Sequence, residues 1–184
     1  ALGRNWIGQW INLNHPLDTQ VNLQNAQSAF ENGDLATSID YATQLLADTP
    51  SQEQAILLLV RSLIYQSYSE INGVDKQQQA LDISQQGLAS HPRSLDIQAI
   101  RAYALQVNNK SDEAGRIALR IIDQSPEHIL ARIVLSLSYR SQGIFEASLR
   151  EANVAVELAN QYQRYQMESY RTLAIANSNL GQYE

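Results

Sequence analysis

Three histidines are the residues in this sequence best suited to metal binding or acid–base chemistry. His15 and His91 each precede a proline, and His128 follows Pro126 by two residues. No two of them have the i, i+4 spacing that places a pair of ligands on one helix face, and metal ligands must lie about 2 Å from a shared ion. We therefore interpret all three as loop residues and expect no metal site.

The other polar residues do not form a catalytic pattern. The sequence has no cysteine, which removes thiolate nucleophiles and disulfide bonds. It has no glycine-rich phosphate loop after a strand and no G-x-S-x-G nucleophile motif. The acidic pair Asp112–Glu113 falls at a predicted helix start, where negative charge complements the helix dipole. We therefore expect no catalytic residue and no cofactor, and we predict that the chain is not an enzyme.

Composition restricts the partners and the compartment. The 184 residues carry a net charge of −6, which argues against nucleic acid because a basic surface would be needed there. No run of about 18 apolar residues occurs, so we predict no membrane span in this segment. Because the sequence begins with Ala1 rather than methionine, we expect a processed chain or a piece of a larger or membrane-anchored protein, and the compartment stays unknown.

The four prolines divide the chain at nearly regular intervals. They stand at positions 16, 50, 92 and 126, so the intervals between them are 34, 42 and 34. A further step equal to the last interval reaches Asn160, and asparagine is also a common helix-ending residue. Proline is frequent just past a helix end because it lacks the amide N–H and its ring clashes with the preceding turn. The spacing therefore indicates a repeated helical unit.

A second signal recurs along the chain. The segment "YRSQGIFEASLREA" at 139–152 joins two helix-like runs through one glycine. Its central part, 141–149, has counterparts at the same phase at 31–39, 108–116 and 179–184. Apolar residues on either side recur at helical spacing, and no segment alternates as a strand does. The sequence therefore predicts an all-α fold of repeated helical hairpins.

A unit of about 34 residues with a central turn and a terminal proline resembles the tetratricopeptide repeat. That repeat has small residues where its two helices cross. Ala102 and Ala114 match these positions in one repeat, and Ser136, Ser148 and Ala155 match them in the next. The resemblance covers nearly the whole chain. It implies a right-handed α-solenoid in which antiparallel helix hairpins stack into a superhelix.

We predict a single solenoid segment over residues 1–184. Its divisions are the second helix of an earlier repeat or an N-terminal cap at 1–16, repeats at 17–50, 51–92, 93–126 and 127–160, and the first helix of a further repeat at 161–184. The second repeat is 8 residues too long (42 − 34), and we place most of the surplus at 69–76. Four more extra residues fall near 159–166.

The resemblance also implies a binding surface on the concave side, formed by the first helix of each repeat. Carried over by repeat position, the groove residues are Phe30, Leu59, Leu63, Ala99, Tyr103, Ile133, Leu137, Arg140, Arg171 and Ile175. This largely apolar set does not match the Lys, Arg and Asn set with which some family members bind a terminal carboxylate. It favours an amphipathic or hydrophobic segment lying in the groove.

Three functions remain open at this stage. The first is a protein-interaction scaffold that binds a peptide or partner helix in the groove. The second is self-packing, in which a neighbouring helix or another copy fills the groove, or copies associate through open repeat ends. The third is a regulatory or adaptor segment of a larger enzyme or receptor. In each case the partner is a protein whose identity the sequence does not give.

Two arginines occupy a repeat position that is normally apolar. Arg61 and Arg101 stand at this position in consecutive repeats. A buried guanidinium without a partner is costly, so each arginine should pair with a carboxylate or extend to the surface. We predict that both reach solvent or an acidic residue on the second helix of a repeat.

The repeat alignment predicts the effect of enlarging a crossing residue. Ala102→Leu should lower the free energy of unfolding by about 1–3 kcal/mol, because extra methylene groups at a close helix crossing force the helices apart. Urea unfolding followed by circular dichroism measures the change. An unchanged stability would show that the repeat alignment is wrong.

Overall fold

The computed structural model describes residues 16–69 and 73–180, and these residues form helices joined by short turns. The helices are α1 Pro16–Glu31, α2 Leu35–Asp48, α3 Glu53–Ser69, α4 Val74–Ser90, α5 Leu95–Val107, α6 Ser111–Gln124, α7 Ile129–Ser141, α8 Phe145–Tyr162 and α9 Gln166–Leu180. The described ranges contain no β-strand.

Each helix packs most closely on the next one in the chain, so that successive helices form antiparallel hairpins. The odd-numbered helices also contact one another in order, α1 with α3, α3 with α5, α5 with α7 and α7 with α9. The even-numbered helices lack such contacts among the described residues, so they form the outer row. This arrangement confirms the predicted all-α solenoid. The repeat divisions at 50, 92, 126 and 160 stay predictions.

Small residues lie where paired helices cross. Ala26, Ser62 and Ala102 occupy the same repeat position in α1, α3 and α5, and all are fully buried. At this position in α7, the Oγ of Ser136 donates a hydrogen bond of 2.8 Å to the carbonyl of Ser148 on α8. A short side chain lets the helices approach until one can reach the backbone of the other.

The hairpin joints share one backbone conformation. Gly33, Asn109 and Gly143 each lie two residues past an odd-numbered helix and have φ values of 79°, 62° and 77°. In the last of these joints, the N–H of Gly143 donates to the carbonyl of Arg140, and the N–H of Ile144 to that of Tyr139. The left-handed residue lets the chain reverse while it caps the preceding helix.

The surplus residues of the second repeat lengthen its helices rather than a loop. Helices α3 and α4 each have 17 residues, compared with 13 in α5 and 14 in α6. The described residues of 69–76 are mostly helical, since α3 continues to Ser69 and α4 begins directly after Gly73, and the placement of the surplus in this segment stays a prediction. Residues 70–72 lie outside the described part of the chain.

The helix before the last turn is also longer than expected. Helix α8 has 18 residues and continues through Asn160, which the proline spacing suggested as a helix end. It ends at Tyr162 because Gln163 adopts a left-handed conformation. The four extra residues therefore add one turn to α8, which changes where α9 begins.

The predicted first segment, 1–16, lies outside the described residues except for Pro16. Pro16 is the first residue of α1, a position that suits proline because the first helical N–H groups have no intrahelical partner. The predicted joint at 179–184 also lies largely outside the described residues. No helix in the described ranges is both long enough and apolar enough to cross a lipid bilayer.

The shared joint predicts a position-specific cost. Gly143→Ala should lower the free energy of unfolding by about 1 kcal/mol, because a β-carbon disfavours positive φ. No atom lies within 4 Å of the added carbon, so a clash would not contribute. Gly143→Asn should recover most of the loss, since Asn109 already fills the equivalent joint. Equal urea midpoints for Gly143→Ala and the unmodified chain would contradict this account.

Candidate functional site

Most of the predicted groove residues are buried. The buried ones are Phe30, Leu59, Leu63, Ala99, Tyr103, Ile133 and Leu137. Arg171 and Ile175 are half-buried, and Arg140 is exposed. The structure therefore places seven of the ten between helices. Their contact with a partner stays a prediction, and such contact would require the side chains that cover them to move.

Side chains of α9 reach across the concave side to α3. The Nε of Arg61 on α3 donates to the Oε1 of Glu168 on α9 over 2.6 Å. The side chains of these residues are 14% and 1% exposed, so the ion pair is largely shielded from water. The two residues are 107 positions apart. This pair connects the second repeat with the last described helix.

Aromatic rings enclose the same guanidinium. The central carbon of Arg61 lies 4.4 Å from the ring centroid of Phe30 and 4.8 Å from that of Tyr165. The ring of Tyr65 meets Phe30 edge-on at 5.7 Å. A cation over an aromatic face is attracted by the ring quadrupole, and the attraction strengthens when water is excluded. Arg61 is therefore held both by a carboxylate and by two rings.

A second contact lies farther along the same two helices. The guanidinium carbon of Arg171 on α9 lies 3.9 Å from the ring centroid of Tyr68 on α3. Tyr68 lies in the last turn of α3, the part that makes this helix longer than α5. We call the contacting set the α3–α9 bridge; it comprises Phe30, Arg61, Tyr65, Tyr68, Tyr165, Glu168 and Arg171.

The bridge consists of side chains alone. Among the described residues, no Cα atom of α3 lies within 8 Å of a Cα atom of α9. Helix α9 instead packs its backbone against α7 and α8. The connection across the concave side is therefore separate from the hairpin stacking that builds the solenoid.

Burial and charge fix the protonation states in the bridge. Burial alone lowers the pKa of Arg61, but the charge of Glu168 and other neighbours outweigh it and hold that pKa above its ordinary value. Burial also raises the pKa of Tyr65, and the Glu168 charge raises it further. Burial raises the pKa of Tyr165 and of Tyr103 in the same way. The bridge therefore contains a permanent cation and neutral buried phenols.

The turn between α8 and α9 directs Tyr165 into the bridge. Gln163 and Tyr165 both have positive φ values, 53° and 55°, although neither is glycine. Asp96 on α5 lies 3.9 Å from an Arg164 nitrogen and 3.3 Å from the Nε2 of His128. The hydrogen bond from His128 lowers the pKa of Asp96 despite its partial burial. The turn is therefore tied to α5 and α7 as well as to α3.

Two cavities flank Tyr165. One of about 370 Å³ lies between α1, α3 and the α8–α9 turn, and its wall includes Phe30, Arg61 and Glu168. The other, of about 450 Å³, lies at the first turns of α5 and α7 beside Asp96 and His128. Tyr165 and Arg164 line both. The concave side thus keeps space on either side of the bridge.

The two arginine predictions have different outcomes in detail. Arg101 lies 3.3 Å from Glu113 on α6, which is the second helix of its hairpin, and its Nε donates to Gln85. This confirms the prediction for Arg101. Arg61 pairs with a carboxylate as expected, but Glu168 lies on an odd-numbered helix rather than on the second helix of a repeat.

The histidines contact helix ends. The Nδ1 of His128 accepts a 3.3 Å hydrogen bond from the N–H of Ala131 and caps α7. His91 is the C-cap residue of α4. His15 lies outside the described residues. Within the described ranges, no cluster of three or more His, Asp or Glu side chains is arranged to hold a metal ion.

Stacked antiparallel hairpins with small residues at each crossing define an α-solenoid of the tetratricopeptide type. Solved structures agree with this class. TTC0263, a thermophilic TPR protein of Thermus thermophilus, matches with a TM-score of 0.69 at 17% identity, over 87% of this chain and 84% of that one. The MamA protein matches at a TM-score of 0.53 and 15% identity, over 89% and 82% of the two chains.

MamA from Desulfovibrio magneticus RS-1 gives a TM-score of 0.55 at 13% identity, covering 89% of this chain and 92% of that one. At such identities the similarity establishes the fold alone. No protein-family model matches this sequence. No curated protein matches it either. The chain therefore has the tetratricopeptide-repeat fold.

Sequence reasoning missed the acidic side of the bridge. It singled out Arg61 as needing a carboxylate, and it named Phe30 and Arg171 as groove residues. It did not name Tyr165, which lies in the surplus residues that have no equivalent in the repeat pattern. It also missed Glu168, because an acidic residue in a first helical turn is normally exposed. The charge of Arg61 at a normally apolar repeat position was the signal that could have led to Glu168.

The ion pair predicts strong coupling between distant positions. Arg61→Met should lower the free energy of unfolding by about 3 kcal/mol, because it leaves the buried carboxylate of Glu168 without a partner. Adding Glu168→Gln should cost less than the two single changes summed, with a coupling of about 1–3 kcal/mol. Urea unfolding of all four chains gives this cycle.

Arg101→Met is the matched control, because it removes an arginine from the same repeat position. Its partner Glu113 is 45% exposed, so the loss should stay below about 1 kcal/mol. A coupling between Arg61 and Glu168 that is as small as the Arg101 effect would show that the bridge contributes little to stability.

Proposed function

We propose that this chain is a protein-interaction scaffold that binds a helical or extended segment of a partner protein on its concave side. A solenoid of this kind presents one row of helices along a continuous inner surface. Such a surface contacts a segment of several turns at once. The proposed role is binding rather than catalysis, and it concerns a protein partner.

The cavity of about 370 Å³ between α1, α3 and the α8–α9 turn is the observation that carries this proposal. Its wall combines apolar side chains, including Leu57 and Leu58, with amide and charged groups such as Gln27 and Arg61. Met167 at its edge is 44% exposed. A mixed wall of this kind suits an amphipathic segment, whose apolar side can be buried while its polar side stays hydrated.

The space continues along α1. A neighbouring cavity of about 300 Å³ shares Gln27, Glu31 and Gln54 with the first one and extends to Leu23. The combined surface is elongated and follows the helix axis. This shape supports a peptide segment over a compact small molecule as the occupant.

Self-association is a second candidate, and exposed apolar side chains of α9 support it. Tyr170 is 50% exposed and Met167 is 44% exposed on this helix. A regulatory or adaptor role in a larger protein would use the same concave surface as a scaffold role. One binding experiment therefore tests the surface for both of these roles.

Peptide selection followed by a blocking substitution tests the concave site. Peptides long enough for about four helical turns would be selected on the full chain from a displayed random library, and their dissociation constants measured by calorimetry. Gln27→Trp should weaken binding of the selected peptides by at least about tenfold, because the indole fills the cavity. A tenfold weaker affinity corresponds to a loss of about 1.4 kcal/mol in binding free energy.

Gln124→Trp provides the matched control. Gln124 is an exposed glutamine near the end of α6, in the outer row of helices. This substitution should leave peptide affinity unchanged. Equal effects of the two tryptophan substitutions would contradict concave binding. Recovery of a second copy of this chain through α9, without peptide binding, would favour self-association instead.

A further inference from the structure

The first turn of α9 already occupies the concave side in the way a bound segment would. Tyr165 and Glu168 are three residues apart, and both contact Arg61 of α3. Tyr165 lies directly before α9 with a left-handed backbone, and Glu168 lies in the first turn of the helix. The ring covers one side of the guanidinium, and the carboxylate accepts its hydrogen bond. An aromatic residue directly before a helix and an acidic residue in its first turn are thus bound by α3.

This occupation can be released without dismantling the solenoid. The α3–α9 bridge contains side-chain contacts only, since the described parts of the two helices have no Cα atoms within 8 Å of each other. The contacts of α9 with α7 and α8 are independent of Arg61. Breaking the contacts of Arg61 with Tyr165 and Glu168 would therefore leave the backbone contacts of α9 with α7 and α8 in place.

The turn before α9 is strained. Gln163 and Tyr165 have φ values of 53° and 55°, and the left-handed conformation is disfavoured for any residue that carries a β-carbon. Tyr165 holds this conformation while its ring is buried against Arg61. Opening the bridge would let the turn relax. Strain in the turn that carries Tyr165 weakens the net contact of this ring with Arg61, so that a partner can replace it.

Polar groups at the bridge are incompletely satisfied. The Oε2 of Glu168, the phenol oxygen of Tyr65 and the Oγ of Ser169 are buried without a hydrogen-bond partner among the described residues. Buried polar atoms usually have partners because leaving one unsatisfied costs free energy.

We propose that Tyr165 and the first turn of α9 are an internal ligand of the α1–α3 surface, and that the protein partner displaces them with a segment in which an aromatic residue directly precedes a helix and a glutamate follows three positions later in the first helical turn. The proposal rests on the proposed function, because it describes the partner of the same concave surface. Arg61 and the ring of Phe30 form the receptor in both states.

The charges on this surface define the partner's chemistry. Glu168 and Tyr165 shield the guanidinium of Arg61 in the closed state, and once they are displaced the cation lies at the surface beside the ring of Phe30, where it attracts an anionic group. An acidic side chain supplies the missing partner, and an aromatic ring replaces that of Tyr165. A basic segment would leave the cation without a partner and would be repelled by it.

The test uses a peptide with the sequence of residues 164–178, labelled with fluorescein, and the full chain. In the unmodified chain the internal copy competes at high effective concentration, so the peptide should bind weakly. Glu168→Gln in the chain weakens the internal contact and keeps Arg61. Fluorescence anisotropy should then show peptide binding at least about tenfold tighter, as expected when the binding-competent state becomes more populated.

A second opened chain guards against failure to fold. Tyr165→Ala removes the internal ring without leaving an unpaired charge, and it should also tighten peptide binding. Hydrogen exchange of α9 amides should be faster in both variants, while α5 and α7 amides stay protected. Adding Arg61→Met to either opened chain should abolish binding, whereas Arg101→Met should not. A peptide carrying its own Glu168→Gln change should bind poorly to all chains.

Two results would overturn the inference. The first is equal peptide affinity in the unmodified chain and both opened chains, which would make the bridge a fixed structural contact. The second is tighter binding that Arg61→Met leaves unchanged, which would place the peptide elsewhere.

Library peptides that Gln27→Trp still weakens would then leave the proposed function intact. Conversely, if the residue 164–178 peptide behaves as expected but no library peptide responds to Gln27→Trp, the internal ligand stands and the concave scaffold fails.

Discussion

Close packing of each helix against the next is the constraint on which the rest of this structure depends. A single hairpin of this kind cannot cover its own apolar face, so each pair needs the neighbouring pair. Fully buried small residues such as Ala102 and Ser136 set the approach distance at the crossings. Because the crossing chemistry repeats, the rotation between hairpins accumulates along the chain. This accumulated curvature places α3 opposite α9.

The contact between α3 and α9 across the concave side depends on that curvature and on the charge of Arg61. Arg61 occupies a position that normally packs apolar atoms, so the repeat carries a cation into a region of low water content. The carboxylate of Glu168 compensates this charge at 2.6 Å, and aromatic rings cover the guanidinium faces. Ion pairs of this kind are costly to break from one side but contribute little over an apolar packing alternative. They therefore favour specificity of contact more than bulk stability.

This balance links the fold to its proposed binding role. The solenoid is held by hairpin contacts, while the bridge is held by side chains from a strained turn. A partner that offers the same groups competes for Arg61 alone and leaves the helical stacking intact. The partner's affinity would then depend on the difference in free energy between its own contacts with Arg61 and those of Tyr165 and Glu168. Binding could therefore be selective without being very tight.

The sequence by itself determined the all-α class, the hairpin joints and the buried small residues, because turns and helix crossings depend on neighbouring residues in the chain. It also showed that Arg61 needs an acidic partner. It suggested a helix end at Asn160, whereas α8 continues to Tyr162, because helix length depends on packing as well as on turn signals. Only the tertiary structure decided that α9 supplies Glu168 and that seven predicted groove residues are buried. The physical reason is that superhelix curvature sums small rotations over several hairpins, and no local pattern records that sum.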